Sequence, residues 1–406
     1  MKKIYGGLFA FVLVVISFLC YELYHDNNKY LVENSRSKSI VNNGNTISIM
    51  LETGSGSGEY QESSSSSWPT DLIFNSKLSK CTNGGEISWD ATNKKVVVKS
   101  SSVDNCYAYF DVNILTDYVK SLYTGTQGAN GLYYHDVSLS NGAGDNSYRY
   151  SGANPNNYVC FGTNATPCPT DNLYRIVGVF GDKVKLIKYD YATSALLGTD
   201  GDYYYRSTKV NTYYWNYKAT NKGSNTWSTS LLNKTNLNTN FITNIGTEWA
   251  NKIATTTWKV GGNTDKNIME VVPATTYQNE IVNPATTNTT DNATEYTAKI
   301  GLMYASDYGF AADPSAWTKT LYDYDGSVNG SRIRSLNWMY NGGSYEWTIS
   351  RDSSDGYTVL GVSTSGAVTI HDASSTDKGV RPSFNLESSV TYVSGSGSAD
   401  DPIRIG

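Results

Sequence analysis

One apolar segment near the start of the chain most constrains what this sequence can form. Residues 4–21 read IYGGLFAFVLVVISFLCY, and no other segment of the 406-residue chain is equally hydrophobic. About 20 apolar residues are enough to cross a bilayer as one helix. Lys2 and Lys3 precede this run and Glu22 and Asp26 follow it, a charge bias that predicts a cytoplasmic N-terminus. We therefore expect a single-pass cell-membrane protein whose C-terminal part is extracellular.

Three other interpretations of the apolar segment fit the sequence less well. A cleaved signal peptide needs small residues at its cut site, whereas this run ends in bulky residues. A lipoprotein would be modified at Cys20, but Leu19 stands where a small residue is required. A type IV prepilin would have glutamate at the position of Val12. An uncleaved signal anchor over residues 1–21, followed by a polar stalk over residues 22–45, is the prediction.

The composition after the apolar segment is typical of an exported, β-rich protein. Charged residues make up 17% of the chain, against about 25% in ordinary globular domains, so neutral polar side chains must provide the solubility. The chain has 33 tyrosines and 36 glycines, and tyrosine favours strands while glycine favours turns. A net charge of -5 provides no basic surface. Nucleic acid is therefore not an expected partner.

The cysteines predict disulfide bonds and no metal site. Four cysteines follow the apolar segment, an even number that indicates disulfides in an exported chain and permits three connectivities. We favour Cys81 with Cys106 and Cys160 with Cys168, because each pair falls within one apparent structural unit. A zinc site is the alternative, but no Cys-x-x-Cys spacing occurs and the chain has three histidines. We expect neither a metal nor another cofactor.

Sequence patterns divide the exported part into three regions. Residues 46–112 predict a small disulfide-stapled β module that includes a Gly/Ser loop over residues 53–67 and a hairpin over residues 86–100. Residues 113–146 predict a connecting helix and a glycine-rich loop. Residues 147–406 form the main domain. Within it we expect a hairpin over residues 173–191, joined at Gly181-Asp182. We also expect two helices, one over residues 227–244 and one over residues 246–254.

The main domain ends in motifs that resemble a known group of proteins. They are Trp347-Thr348-Ile349-Ser350-Arg351, Gly379-Val380-Arg381-Pro382-Ser383-Phe384-Asn385-Leu386 and the segment from Gly395 to Ile405. Their order resembles a bacterial surface-domain family of unknown function over residues 173–406, and the N-terminal part resembles leaders of exported proteins from uncultured gut Firmicutes. The family is distantly similar to C-type-lectin-like domains and to sulfatase-modifying factors. The resemblance implies a C-terminal C-type-lectin-like α+β domain. Together with the N-terminal single transmembrane helix and the small β module predicted above, this gives an α+β, β-rich fold class.

The chemistry of those similar proteins does not carry over to this chain. Sulfatase-modifying enzymes need a cysteine pair in the C-terminal half, and the last cysteine here is Cys168. The Glu-Pro-Asn, Gln-Pro-Asp and Trp-Asn-Asp triplets of calcium-dependent lectins do not occur. His135 and His371 are the histidines beyond the stalk, and no Gly-x-Ser-x-Gly motif accompanies them. We therefore expect no enzymatic activity.

The function that we expect is binding or adhesion by a membrane-anchored extracellular protein that recognises a glycan or a protein ligand. Aromatic and amide side chains suit such a face, and the candidate ligand-binding residues are Trp338, Tyr340, Tyr345, Trp347, Arg351 and Asp352. For Trp338 and Trp347, core packing is the alternative. Tyr340, Tyr345 and Asp352 flank an Asn-Gly-Gly turn and are expected to be exposed. A cell-envelope hydrolase acting on polysaccharide or peptidoglycan and a structural envelope protein remain alternative functions.

Overall fold

A computed structural model of the chain describes most residues beyond the stalk. The described ranges are 40–42, 44–54, 56–69, 72–199, 204–206, 211–217, 224–262, 268–284, 293–353 and 355–406. The predicted membrane anchor and nearly all of the stalk lie outside these ranges. No helix in the described part of the chain is both long and apolar enough to cross a bilayer. The chain divides into two compact units, which are Met1–Asn113 and Ile114–Gly406.

The described residues of the first unit form eight strands. These are β1 (Ile40–Asn42), β2 (Asn45–Glu52), β3 (Tyr60–Glu62), β4 (Ile73–Phe74), β5 (Lys80–Cys81), β6 (Glu86–Asp90), β7 (Lys95–Lys99) and β8 (Asn105–Asp111). Strands β2 and β8 run parallel at the centre of a six-stranded sheet, and β6 and β7 form a separate hairpin. The hairpin predicted over residues 86–100 is confirmed as β6 and β7.

The core of the first unit follows the two-residue period of its strands. Ile47 and Ile49 on β2 and Ala108 and Phe110 on β8 are fully buried, while the residues between them point to the other face. The Cys81–Cys106 disulfide joins β5 to β8. This disulfide was predicted and is present.

The Gly/Ser loop is more ordered than its composition predicts. Its residues Tyr60–Glu62 form β3 and pair with β2. The hydroxyl of Tyr60 donates a hydrogen bond to the carboxylate of Asp111 over 2.6 Å. The prediction of an unpacked loop was therefore wrong for this part, because one tyrosine finds a hydrogen-bond acceptor on β8 and anchors the segment to the sheet.

The second unit contains nineteen strands among its described residues. They are β9 (Leu132–His135), β10 (Ser147–Tyr150), β11 (Tyr158–Cys160), β12 (Leu173–Phe180), β13 (Lys183–Lys188), β14 (Tyr204–Arg206), β15 (Asn211–Tyr213), β16 (Thr256–Lys259), β17 (Glu295–Ala298), β18 (Ile300–Gly301), β19 (Ser327–Val328), β20 (Ser331–Arg332), β21 (Tyr345–Arg351), β22 (Thr358–Val362), β23 (Val368–Asp372), β24 (Lys378–Gly379), β25 (Ser383–Asn385), β26 (Tyr392–Ser394) and β27 (Arg404–Ile405).

The helices of the second unit are short. The α-helices are α1 (Leu115–Ser121), α2 (Ser194–Leu197), α3 (Ile242–Asn244), α4 (Thr247–Asn251), α5 (Pro273–Tyr277) and α6 (Ala305–Ala311). Two wider π-helical segments cover Leu232–Phe241 and Gln278–Val282. Single 3₁₀ turns lie at Ala129–Gly131, Thr170–Asn172, Trp227–Thr229, Ile268–Glu270, Pro314–Ala316, Leu321–Asp325 and Ile333–Leu336.

An antiparallel seven-stranded sheet forms the centre of the second unit. Its strand order is β18-β25-β13-β12-β10-β9, and β11 also pairs with β12. The predicted hairpin is confirmed as β12 and β13. Gly181 in its turn has a φ of 65°, a backbone conformation that glycine adopts without steric cost. The Cys160–Cys168 disulfide, also predicted, closes the loop that leads from β11 towards β12.

A second sheet has four strands in the order β23-β22-β21-β24. It contains the Trp347–Arg351 motif on β21 and Gly379 on β24. One hydrophobic cluster unites this sheet with the seven-stranded sheet and the helical segments; it includes Ile176, Leu186, Leu237, Trp347 and Val359. The two-stranded ribbons are β14-β15, β16-β17, β19-β20 and β26-β27.

The predicted fold class was wrong. Strands account for 34% of the residues and helices for 21%, so the protein is mostly β-sheet rather than α+β, and the C-type-lectin-like assignment is not supported. The predicted helix at residues 227–244 is present only as a 3₁₀ turn, a π-helical segment and one α-helical turn. Alternating apolar residues favour strands over helices in much of the chain.

Candidate functional site

The six predicted ligand-binding residues do not share an exposed surface. Trp347 is 0% exposed and Trp338 is 5% exposed. Each indole N–H donates to a backbone carbonyl oxygen at 2.8 Å. Arg351 and Asp352, at the end of β21, are also buried. These four side chains belong to the core, and the expected exposure of Asp352 was wrong because the residue lies at the buried end of a central strand.

Tyr340 and Tyr345 are the two predicted residues that reach the surface in part. The Tyr340 hydroxyl donates to the carbonyl oxygen of Thr364 over 2.5 Å. The Tyr345 ring lies 4.7 Å from the ammonium nitrogen of Lys378. Both side chains therefore make contacts within the protein while remaining partly exposed.

The Gly-Val-Arg-Pro motif has a structural role. The Arg381 Nε donates to Oε1 of Glu346 over 2.7 Å, and its Nη2 donates to the carbonyl oxygen of Met339 over 2.6 Å. Both charged side chains are 2% exposed. The motif therefore holds the segment that leads into β25 against the four-stranded sheet.

A cavity of about 220 Å³ opens beside the seven-stranded sheet. Side chains from β10, β13, β16, α5 and α6 meet there. Its aromatic lining residues are Phe180, Trp258, Tyr277 and Tyr304, and its uncharged polar lining residues include Thr256 and Asn385. Mostly apolar walls with a few convergent polar groups are the usual composition of a small-ligand site. The volume suits one sugar ring or one amino-acid side chain.

Three charged side chains meet at the buried end of the cavity. The Lys185 ammonium lies 2.5 Å from Oδ2 of Asp307, and Arg149 Nη1 lies 3.5 Å from Oδ1 of the same carboxylate. Arg149 also binds Asp145 over 2.7 Å. Burial opposes ionisation of Asp145, but the charge of Arg149 and the hydrogen bonds from Ser147 lower its pKa to about 2. Burial lowers the pKa of Lys185, although Asp307 opposes this shift.

The start of helix α6 positions Asp307 and a second carboxyl group, that of Glu280. Oδ2 of Asp307 accepts the backbone N–H of Tyr304, the N-cap residue, over 2.9 Å. The Glu280 carboxyl accepts the backbone N–H groups of Ala305 and Ser306 over 3.2 and 3.1 Å, and it also accepts the hydroxyl of Ser350. Burial raises the pKa of Glu280 to about 7 despite these hydrogen bonds.

The two histidines do not form a catalytic arrangement with the cavity. His135 is fully buried, its Nδ1 accepts the N–H of Ala143, and burial with nearby Arg149 holds its pKa well below the ordinary value. His371 shares a hydrogen bond with the hydroxyl of Thr369. Burial and the charge of Lys378 lower the pKa of His371 to about 4. Neither residue lines the cavity.

One group of potential metal ligands occurs in the described ranges, in the first unit. Cys81, Asp104 and Cys106 lie together, but both sulfur atoms belong to the disulfide. Asp104 already accepts hydrogen bonds from Thr82, Asn83 and Gly85. The cluster is therefore structural.

Sequence reasoning missed the residues around the cavity. Arg149, Lys185, Glu280 and Asp307 are far apart in the chain, and each stands in an ordinary strand or helix sequence. Strand β13 has the sequence Lys-Val-Lys-Leu-Ile-Lys, and all of its residues after the first are buried, Lys185 included. A lysine inside such a strand requires a buried partner, but the sequence does not show which carboxylate supplies it.

Comparison of the chain with protein-family models, curated proteins and solved structures finds no match.

Proposed function

We propose that this chain is an extracellular binding protein that recognises a glycan or protein ligand through the cavity of its second unit. Two disulfides support an oxidising compartment. Membrane attachment through residues 4–21 is part of the proposal and rests on the sequence alone.

The observation that carries the proposal is the composition of the cavity. Four aromatic side chains and the nearby Thr256 and Asn385 offer both a ring surface and hydrogen-bonding groups. This combination suits one sugar unit or one planar or amphipathic side chain of a protein ligand. Tyr277 is one of the lining aromatic residues that are half-buried rather than fully buried, so part of its ring is accessible to a ligand.

The ion pairs favour binding over the alternative of a hydrolase. A glycosidase needs two carboxyl groups that face its substrate and are free to exchange protons or attack it. Here Asp307 is paired with Lys185 and Arg149, and Glu280 lies behind the start of α6 rather than in the cavity wall.

Glycan and cell-wall polysaccharide arrays probed with the purified full chain in mild detergent test this proposal. We expect saturable binding that Tyr277→Ala weakens by about tenfold, equal to about 1.4 kcal/mol, because the variant removes a wall of the cavity. The control is Tyr322→Ala, since Tyr322 is 52% exposed and does not line the cavity.

Binding that Tyr277→Ala leaves unchanged would exclude the cavity as the binding site. Absence of binding to every glycan would exclude the glycan alternative. Protein ligands would then be tested by selecting peptides on the wild-type protein and measuring their affinity for the same two variants.

A further inference from the structure

Lys185 and Asp307 form a buried ion pair in the second unit. Their side chains are 6% and 3% exposed, and the ammonium nitrogen lies 2.5 Å from Oδ2. The residues are 122 positions apart in sequence; Lys185 lies on the central strand β13, and Asp307 lies in the first turn of α6. The nucleophilic nitrogen and the carboxyl carbon are thus held next to each other by two rigid elements, which is the geometry that favours a reaction between them.

Aromatic rings surround the lysine nitrogen. It lies 4.7 Å from the ring centre of Tyr304, 5.4 Å from that of Trp258 and 5.8 Å from that of Phe180. A buried ion pair carries a desolvation cost that its Coulomb attraction does not always repay. Conversion of both charges into one neutral amide would remove this cost.

The neighbouring groups can handle the protons and charge of such a conversion. Burial lowers the pKa of Lys185, which favours the neutral, nucleophilic amine. Arg149 lies 3.5 Å from Oδ1 of Asp307, where negative charge grows when the carboxyl carbon is attacked. Glu280 is hydrogen-bonded at the start of the same helix, and its pKa of about 7 suits it to take up and return a proton near neutral pH.

We propose that Lys185 and Asp307 condense to form an intramolecular isopeptide bond. The Lys185 Nζ forms a bond to Cγ of Asp307, and one C–O bond of the carboxylate breaks. Two protons of the ammonium leave with that oxygen as one water molecule, and the third stays on the amide nitrogen. The step is not a redox reaction and needs no co-reactant, because the ion pair already contains every atom of the amide and the water.

The bond would tie β13 covalently to α6. It would close a loop of 122 residues, and a covalent link of this kind restricts the unfolded chain as a disulfide does. In the cavity it would replace one positive and one negative charge by an amide and leave Arg149 as a cation. The inference does not depend on the proposed ligand.

Mass spectrometry of the full chain after disulfide reduction and proteolysis tests the inference directly. We expect a branched peptide that joins the segment around Lys185 to the segment around Asp307 and is lighter than their sum by one water molecule. Recovery of both segments only as separate linear peptides would overturn the proposal. This outcome is read on the wild-type protein and so does not depend on whether any variant folds.

Variants then test the assignment. Lys185→Arg keeps the charge but cannot form the bond, and Asp307→Ala removes the electrophile, so both should lose the branched peptide. The control is Lys183→Arg on the same strand. Lys183 pairs with Asp182 at 3.2 Å, but their side chains are 31% and 70% exposed, so this ion pair is open to solvent. The variant should therefore keep the branched peptide. A branched peptide that survives Lys185→Arg would overturn the proposal.

Glu280→Gln tests the proton-transfer role. The amide retains the shape of the side chain but cannot exchange a proton, so we expect a lower linked fraction at a fixed time after synthesis. A linked fraction equal to that of the wild-type protein would remove Glu280 from the reaction.

Discussion

Arg381 and Glu346 show at the scale of single residues how this protein accommodates charge in its interior. Both side chains are buried and form an ion pair. Arg381 also donates a hydrogen bond to the backbone carbonyl oxygen of Met339. Burial raises the pKa of Glu346, and Arg381 opposes that shift. The pair therefore stabilises the fold only while both members are present, since either one alone would be an uncompensated buried charge.

Arg381→Met should destabilise the protein by about 3 to 5 kcal/mol, because it leaves the Glu346 carboxylate buried without its partner. Urea denaturation with linear extrapolation measures the change in the free energy of unfolding. Arg332→Met is the control, since Arg332 is exposed, and it should change stability by less than about 0.5 kcal/mol. Equal effects of the two variants would contradict the structural role of the motif.

Glu280→Gln should change how stability depends on pH. The pKa of Glu280 rises from 4.5 to about 7 on folding, so the folded state binds this proton more tightly than the unfolded state. The associated stability is complete below pH 4.5 and is lost as the pH rises through about 7. The loss is on the order of 3 kcal/mol, since one pKa unit is worth about 1.4 kcal/mol.

The measurement for this prediction is the slope of the free energy of unfolding against pH over that window. The variant should have a flatter slope than the wild-type protein, whatever its absolute stability. Identical slopes would mean that Glu280 does not titrate differently in the folded and unfolded states.

At the scale of elements, strand β24 shows why a side chain at Gly379 would destabilise the protein. A Cβ at Gly379 would lie 2.4 Å from the ring of Tyr191. That ring cannot move away easily, because the Tyr191 hydroxyl contacts the carbonyl oxygens of Asn341 and Ser344 at 2.8 and 2.9 Å. The parallel pairing of β24 with β21 therefore depends on a close approach between backbone and ring.

Gly379→Ala should cost about 1 to 3 kcal/mol, since overpacking forces the ring or the strand to shift. Thermal unfolding followed by near-ultraviolet circular dichroism would detect both the loss of stability and the change around Tyr191. Gly54→Ala is the control, because no atom lies within 4 Å of its added Cβ. A stable Gly379→Ala protein would show that Tyr191 has an alternative position.

At the scale of the whole molecule, each unit has its own hydrophobic core and its own disulfide. The Cys81–Cys106 bond spans 25 residues in the first unit, and the Cys160–Cys168 bond spans 8 residues in the second. On the loop-entropy account the longer loop stabilises by about 3.5 kcal/mol and the shorter by about 2.5 kcal/mol.

Replacement of each disulfide by two serines should therefore lower hydrogen-exchange protection mainly in the unit that contained it. Hydrogen exchange read by mass spectrometry on peptides from both units measures this. Cys81→Ser/Cys106→Ser should reduce protection in the first unit. Cys160→Ser/Cys168→Ser should reduce protection in the second unit by a smaller amount. Equal loss of protection in both units of either variant would contradict separate cores.

Local sequence patterns predicted many elements of this fold correctly, although they gave the wrong fold class. The β12-β13 hairpin and the β6-β7 hairpin follow from alternating apolar residues around a turn, a signal confined to about twenty neighbouring residues. The two disulfides follow from the positions of four cysteines. Of the candidate site, sequence reasoning named two tryptophans that proved to be core, because burial of a large ring is favourable when its N–H finds an acceptor.

The sequence by itself therefore determined the short-range hairpins and the local disulfide pairs. Only the tertiary structure decided that Lys185 meets Asp307, that Arg381 meets Glu346 and that four aromatic residues enclose a cavity. The physical reason is sequence distance: these partners are 122 and 35 residues apart, and no local propensity specifies which distant carboxylate pairs with a buried cation. That choice depends on the packing of whole sheets and helices against one another.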